Sequence, residues 1–264
     1  MTVPQGEQIR VLVAAHKPYW MPDDPVYLPC WVGAAAHPEN AAKIPSAWAR
    51  DDQGQSISQK NANYCELTGL YWAWKNLDAD YLGLAHYRRH FAGSSGQDKH
   101  ARVASGAQLR SILIQKPVIL PRKRNYFIET NYSQYVHAHH EEDLAQTRAI
   151  LQESYPDYLA SYDDSMQRTT GHRFNMFVMR RDLADTYCAW LFDVLGQLEG
   201  RLDISSYSVN DARVYGFVAE RLLDPWLETN GVDCAELPVV NLEDQHWLRK
   251  GTNFLKRKFV GKKD

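Results

Sequence analysis

Residues 9–15 (IRVLVAA) form a short apolar run, rich in β-branched side chains, that stops at His16-Lys17-Pro18. That pattern predicts a buried first strand delivering a loop at its C-terminal end. Prolines at 18, 22, 25 and 29 then shape a loop, and the polar, glycine-containing stretch 51–58 (DDQGQSIS) reads as a turn. From Gln59 the period changes. Tyr64, Leu67, Leu70, Tyr71 and Trp74 recur at helical spacing, with Ser58 or Asn61 as the expected N-cap. Residues 81–85 (YLGLA) predict a second buried strand running straight into His86-Tyr87-Arg88-Arg89, and 117–120 a third, followed by the basic stretch 122–126 (RKRNY). Helical patterns cover 141–153 and 182–199, with a strand expected at 174–179 (FNMFVM) between them. A long helix over 209–227 and a short strand at 237–240 complete the series. Strands alternating with helices predict an α/β fold. With no internal repeat or low-complexity linker, one domain is expected over 1–264, its core at about 9–248 and a basic tail at 249–264. Ligands of open α/β sheets bind at the carboxyl ends of the strands, and the unusual residues of this chain gather there.

Composition narrows the class. The 264 residues carry 30 Lys and Arg against 32 Asp and Glu, with 44% hydrophobic and 23% charged residues. Those values exclude wholesale disorder, a collagen-like repeat and a small disulfide scaffold. The near-neutral balance also argues against a nucleic-acid coat, which needs a basic surface. Aromatic residues reach 12%, and flat amphipathic rings serve sugar or base binding as well as large cores. Cys30, Cys65, Cys188 and Cys234 are far apart and form no C-x-x-C pair, so reduced, partly buried thiols are expected rather than a zinc site. The first ten residues are polar and no apolar run approaches the roughly 20 residues that span a bilayer. A soluble, intracellular protein is the expectation.

The strongest local feature is His86-Tyr87-Arg88-Arg89 directly after a strand. Guanidinium offers a rigid fork of donors, and adjacent arginines at a ligand-binding sheet edge suit an anion such as a diphosphate. Arg122 and Arg124 lie in a second basic run placed the same way. Neither G-x-G-x-x-G nor G-x-x-x-x-G-K-[ST] is present, which speaks against a dinucleotide-binding site or a P-loop. The pairs Asp51-Asp52 and Asp163-Asp164 lack the acid-x-acid spacing of a cation site and read as turn and cap residues. His137, His139 and His140 precede Glu141, Glu142 and Asp143. Their spacing does not match H-E-x-x-H, and the acids fit a helix N-terminus. No G-x-S-x-G elbow supports hydrolase chemistry. Asp211 and Glu220 are the candidate bases. Nine residues apart on a helix they face opposite sides, so both cannot serve one reacting atom. The tail interleaves Phe254, Leu255, Phe259 and Val260 with Lys256, Arg257, Lys258, Lys262 and Lys263. Such a segment fits either a solvated terminal helix or one lying on an anionic membrane.

Taken together, AAHKPY (14–19), RDDQGQSISQKN (50–61), CELTGLYWAWKN (65–76), YLGLAHYRRHF (81–91), LPRKRNY (120–126), HRFNMFVMRR (172–181), ARVYGFVAERLL (212–223) and LPVVNLE (237–243) resemble a bacterial polysaccharide-biosynthesis glycosyltransferase family formerly known as a domain of unknown function. Its characterised members include the β-1,3-galactofuranosyltransferase module of an O-antigen polymerase. The resemblance implies a GT-A-like single domain with a mixed, mostly parallel central sheet flanked by helices. It implies inverting transfer from UDP-galactofuranose to a polyprenyl-diphosphate-linked glycan at the inner face of the cytoplasmic membrane, feeding O-antigen, capsule or exopolysaccharide. UDP-galactopyranose or UDP-glucose is the alternative donor, and a non-catalytic glycan- or nucleotide-binding subunit the alternative role. On this basis His16, Lys17, Asp51, Ser58, Asn61, His86, Tyr87, Arg88, Arg89, Arg122 and Arg124 are expected on the donor side. His139, His140 and Asn175 are expected on the sugar or acceptor side, and Asp211 or Glu220 as base. No metal ligand or cofactor is expected, Arg88 and Arg89 standing where many GT-A enzymes carry an Asp-x-Asp, although a divalent cation such as manganese stays open.

Overall fold

The computed structural model describes residues 7–243; the basic tail expected at 249–264 lies outside the described residues. The strands are β1 (Ile9–Ala15), β2 (Tyr27–Trp31), β3 (Ala49–Arg50), β4 (Tyr81–His86), β5 (Arg89–Phe91), β6 (Val118–Pro121), β7 (Arg124–Asn125), β8 (Thr170–Gly171), β9 (Phe177–Arg180), β10 (Ala235–Leu237) and β11 (Val239–Asn241). The central sheet runs β10-β6-β9-β4-β1-β2-β3. β1 is parallel to β2 and β4, β2 to β3, and β6 to β10. β9 lies antiparallel between β4 and β6. β5 folds back on the end of β4 and carries β11, while β7 and β8 form a separate ribbon. The helices are α1 (Asn61–Tyr64), α2 (Leu67–Asn76), α3 (Gly106–Leu113), α4 (Asn131–Val136), α5 (Glu141–Ser154), α6 (Leu159–Gln167), α7 (Arg181–Glu199) and α8 (Val214–Thr229). This mixed, mostly parallel sheet flanked by helices is a GT-A-like α/β arrangement.

β1 explains why its sequence is apolar throughout. Leu12 and Ala14 pack into the core shared with α2, α7 and α8, while Ile9, Val11, Val13 and Ala15 pack into a second core that includes Leu109 and Leu113 of α3. A strand covered on both faces has no polar alternation to show. The Cβ of an alanine at Gly69 would come within 2.8 Å of Leu12 and Val32 side-chain carbons, so glycine lets α2 lie close on this sheet. Cys30 and Cys188 are buried, and Cys65 and Cys234 half-buried, all as free thiols. Among the described residues no helix is long and apolar enough to cross a membrane.

Several expected elements take different bounds. The helix expected from Gln59 is two, α1 and α2, because Cys65 adopts φ +52 between them. Neither Ser58 nor Asn61 caps it. The Ser58 hydroxyl donates to Asp51 and the Asn61 amide to the Cys65 carbonyl. β2 lies inside the expected proline loop, and its Pro29 sits where the outer neighbour β3, which pairs only with Cys30 and Trp31, does not reach. The strand expected at 174–179 begins only at Phe177, since Phe174 and Asn175 take φ +76 and +53. The long helix over 209–227 is a single 3-10 turn at Asp211–Arg213 followed by α8. The strand expected at 237–240 is divided by Pro238 into β10 on β6 and β11 on β5. α3, α4 and α6 were not legible from periodicity, although Ser105 and Gln108 form a capping box on α3.

β5 carries an acid-sensitive residue. His90 is fully buried between Trp20 and Tyr27, and burial pushes its pKa down from 6.5 to about 4. The unfolded chain therefore takes up the proton first as pH falls. The stabilisation is complete above pH 6.5 and is lost progressively toward pH 4, by about 3 kcal/mol. His90→Phe is expected to shrink the drop in melting temperature between pH 6.5 and 4. An unchanged drop would assign acid sensitivity to other groups.

Candidate functional site

A cavity of about 770 Å³ opens at the carboxyl ends of β1, β2 and β4, against the first half of α8. Six arginines line it (Arg88, Arg89, Arg124, Arg173, Arg213 and Arg221) against two carboxylates, Glu66 and Glu220. An excess of guanidinium in a partly desolvated cleft creates a positive potential suited to a polyanion.

The hairpin at the end of β4 separates the two adjacent arginines. His86 pairs with Arg89 across a two-residue turn. Tyr87 is buried, its ring edge-on to His16 at 5.3 Å and to Tyr19 at 5.0 Å. Arg88 leans outward to Glu243 at 3.1 Å. Arg89 turns inward, its guanidinium 4.6 Å from the centre of the Phe174 ring. Burial and the neighbouring Arg88 lower the Arg89 pKa, the direction expected of a cation held away from water. His86 Nε2 donates to the Phe174 carbonyl at 2.5 Å, which fixes the positive-φ turn at Phe174 to the end of β4.

The carboxylates come from α8 and the start of α2. Glu220 on α8 accepts from the Phe174 amide at 3.1 Å through Oε1 and from Arg221 Nη1 at 2.9 Å through Oε2. Glu66, just before α2, accepts from the Asn175 amide nitrogen at 2.7 Å. Arg173 is buried, and each of its three nitrogens is bonded. It donates to the His172 carbonyl, the Glu220 carbonyl, the Tyr126 hydroxyl and Asn131. An alanine Cβ at Gly171 would lie 2.6 Å from that guanidinium, so glycine makes room for it. Arg213 donates to Cys65 Sγ at 3.1 Å.

Of the expected donor-side residues, His16, Asn61, His86, Tyr87, Arg88, Arg89 and Arg124 line the cavity. Asp51 and Ser58 do not. Asp51 is wholly buried and accepts from Gly33 N at 2.8 Å, Ala34 N at 3.1 Å, Ser58 Oγ at 2.5 Å and Thr68 Oγ1 at 2.6 Å. It anchors the turn after β2, whose Gly33 has φ +73 and whose continuation brings His37 and Asn40 to the cavity. Lys17 sits beside the Tyr87 ring, 3.9 Å from Glu243, and Arg122 is exposed; neither is among the lining residues. Of the residues expected on the acceptor side His139 lines the cavity, whereas His140 stacks on Tyr207 at 3.9 Å and Asn175, not among the lining residues, donates to Glu66.

The two candidate bases are separated, but not by helical spacing, since Asp211 lies in the 3-10 turn before α8 and Glu220 within α8. Glu220 faces the cavity and Asp211 does not. Asp211 accepts from Ser208 Oγ at 2.7 Å and His139 Nδ1 at 3.1 Å, and these bonds, Ser208 first, hold its carboxyl below the usual range. Its contact with the cavity is through His139, which stacks on Phe217 at 4.2 Å. Sequence reasoning did not single out Glu66, Arg173, Arg213 or Arg221 as site residues. Arg221 did carry a signal, since it falls on the stripe of Val214 and Val218, where a charge is out of place unless partnered. Among the described residues no group of three or more His, Cys, Asp or Glu is placed to hold a metal ion.

Residues 10–231 match the profile of a family described as "Domain of unknown function (DUF4422)". A solved structure, the apo form of the bifunctional glycosyltransferase WbbM, superposes with a TM-score of 0.82 at 27% identity, over 90% of this chain and 46% of that one. The chain thus spans about half the length of that protein. No curated protein matches.

Proposed function

The chain belongs to the DUF4422 family, and on that premise we propose that it is an inverting glycosyltransferase of polysaccharide biosynthesis that uses a UDP-sugar donor. The observation that carries this reading is the arginine-lined cavity at the carboxyl ends of the sheet, with Glu220 on its wall. Similarity to WbbM, a bifunctional glycosyltransferase, supports it. The diphosphate lies against Arg89, with Arg88, Arg124 and Arg213 around it. Glu220 takes the proton from the acceptor hydroxyl as that oxygen attacks the anomeric carbon. The bond to UDP breaks on the opposite side, and the arginines receive the charge that builds on the leaving diphosphate. Asp211 orients His139 on the acceptor side. UDP-galactofuranose is the first donor to test, by the resemblance of the motifs. A polyprenyl-diphosphate-linked glycan is the acceptor, met at the inner face of the cytoplasmic membrane.

Incubation with UDP-galactofuranose and such an acceptor is expected to release UDP and extend the glycan with an inverted, β linkage. Extension from UDP-galactopyranose or UDP-glucose alone would keep the chemistry and change the donor. UDP binding without turnover of any donor would leave a binding subunit. Arg89→Ala is expected to weaken UDP binding about 10- to 150-fold, the loss of one charge-assisted contact of about 1.5–3 kcal/mol. Unchanged affinity in calorimetry would remove Arg89 from the diphosphate site.

A further inference from the structure

The loop between β7 and α4 turns two large apolar side chains into solvent. Phe127 is 83% exposed and Ile128 81%, side by side at its tip. Isolated exposed apolar residues are common, but an adjacent pair this bare is a contact surface without its partner. The backbone holds them there. Phe127 adopts φ +61, a region in which an aromatic residue is rare. The conformation is tied by the Asn125 carboxamide, which accepts from Phe127 N at 2.7 Å, and by the Tyr126 carbonyl, which accepts from Ile128 N at 2.7 Å. Strain kept by specific hydrogen bonds, with no packing gained inside the molecule, points to use outside it.

The chemistry of the surroundings selects the partner. Arg122, Lys123 and Arg124 are exposed immediately before the tip. The nearest acid in sequence after it, Glu129, is engaged by His137 Nδ1 at 2.8 Å. A pair of apolar side chains beside a basic cluster fits the interface of a membrane rich in anionic lipid. The two apolar side chains enter at headgroup depth, and Arg122 and Lys123 face the phosphates. Arg124 and Tyr126, at the base of the same loop, line the cavity.

We propose that residues 122–128 are a membrane-docking loop, with Phe127 and Ile128 as the inserting side chains and an anionic bilayer as the partner, so that docking brings the cavity mouth to the membrane surface. Its purpose rests on the reading of the cavity as a transferase site for a lipid-linked acceptor, but lipid binding is measured without any reaction. The full chain is sedimented with vesicles of phosphatidylcholine containing 30% phosphatidylglycerol, and with pure phosphatidylcholine. Binding is expected to the anionic vesicles only. The double substitution Phe127→Ser with Ile128→Ser is expected to weaken it about tenfold, with melting temperature and UDP binding unchanged. Wild-type affinity in the double variant would overturn the proposal and shift membrane contact to another segment, such as 249–264. No binding of the wild-type chain to either vesicle would overturn it too and leave the tip to a protein partner. Failure of UDP binding with vesicle binding intact would count against the transferase reading alone.

Discussion

Glu220→Gln is expected to lower transfer by roughly 10²–10⁴-fold, the usual contribution of a positioned general base, with UDP affinity within a few-fold of wild type. The glutamine keeps an acceptor for the Phe174 amide, which Glu220 holds at 3.1 Å, so the turn carrying Phe174 should persist. Arg221, almost fully buried, loses its carboxylate partner at 2.9 Å, and some loss of stability is expected with the loss of rate. Measuring kcat at saturating donor and acceptor separates the two, because folded protein is then counted by UDP binding. Asp211→Asn should cost much less, since Asp211 reaches the cavity only through His139. A loss for Asp211→Asn as large as that for Glu220→Gln would make His139, oriented by Asp211, the proton acceptor instead.

Asp51→Ala carries the largest expected effect on stability. Four donors converge on this carboxylate, the amides of Gly33 and Ala34 and the hydroxyls of Ser58 and Thr68, and it has no exposure to solvent. Removing it leaves the two amides and the Ser58 hydroxyl unsatisfied beside a cavity, while Thr68 keeps the Cys65 carbonyl at 3.1 Å, a cost of about 4 kcal/mol. For a chain of this size that corresponds to a fall in melting temperature of roughly 8–16 °C. The turn at Gly33 also gains freedom, so UDP affinity should fall with stability. A variant that melts within 2 °C of wild type would mean that the 33–35 turn is held by something other than Asp51.

The α/β architecture and the position of the cavity that forms the candidate site were legible because β1, β4 and β6 are covered on both faces and read as apolar runs, each followed by polar or basic residues. His86-Tyr87-Arg88-Arg89 could therefore be placed at the sheet edge from order alone. Its division could not. That Arg88 reaches Glu243 while Arg89 turns toward Phe174 follows from the hairpin register at His86 and Arg89, which no local pattern encodes. Asp51 illustrates the opposite failure. An acidic residue in a polar turn reads as a surface group, and only the approach of Gly33, Ser58 and Thr68 from three segments buries it. Antiparallel β9 was seen as a strand but not as an inverted one, because orientation is a property of the connections. Arg173, Arg213 and Arg221 come to the cavity through contacts 40 or more residues distant in sequence, such as Arg173 with Asn131 and Arg213 with Cys65.

Binding of the UDP diphosphate by the arginine-lined cavity is read out by thermal stabilisation of the full chain with UDP in excess EDTA. At 100 times its dissociation constant UDP should add about 2.7 kcal/mol, a rise of roughly 5–10 °C, and Arg89→Ala should remove most of it at the same concentration. A rise that requires added manganese would contradict arginines as the sufficient source of charge. No rise in either condition would mean that the cavity does not bind UDP.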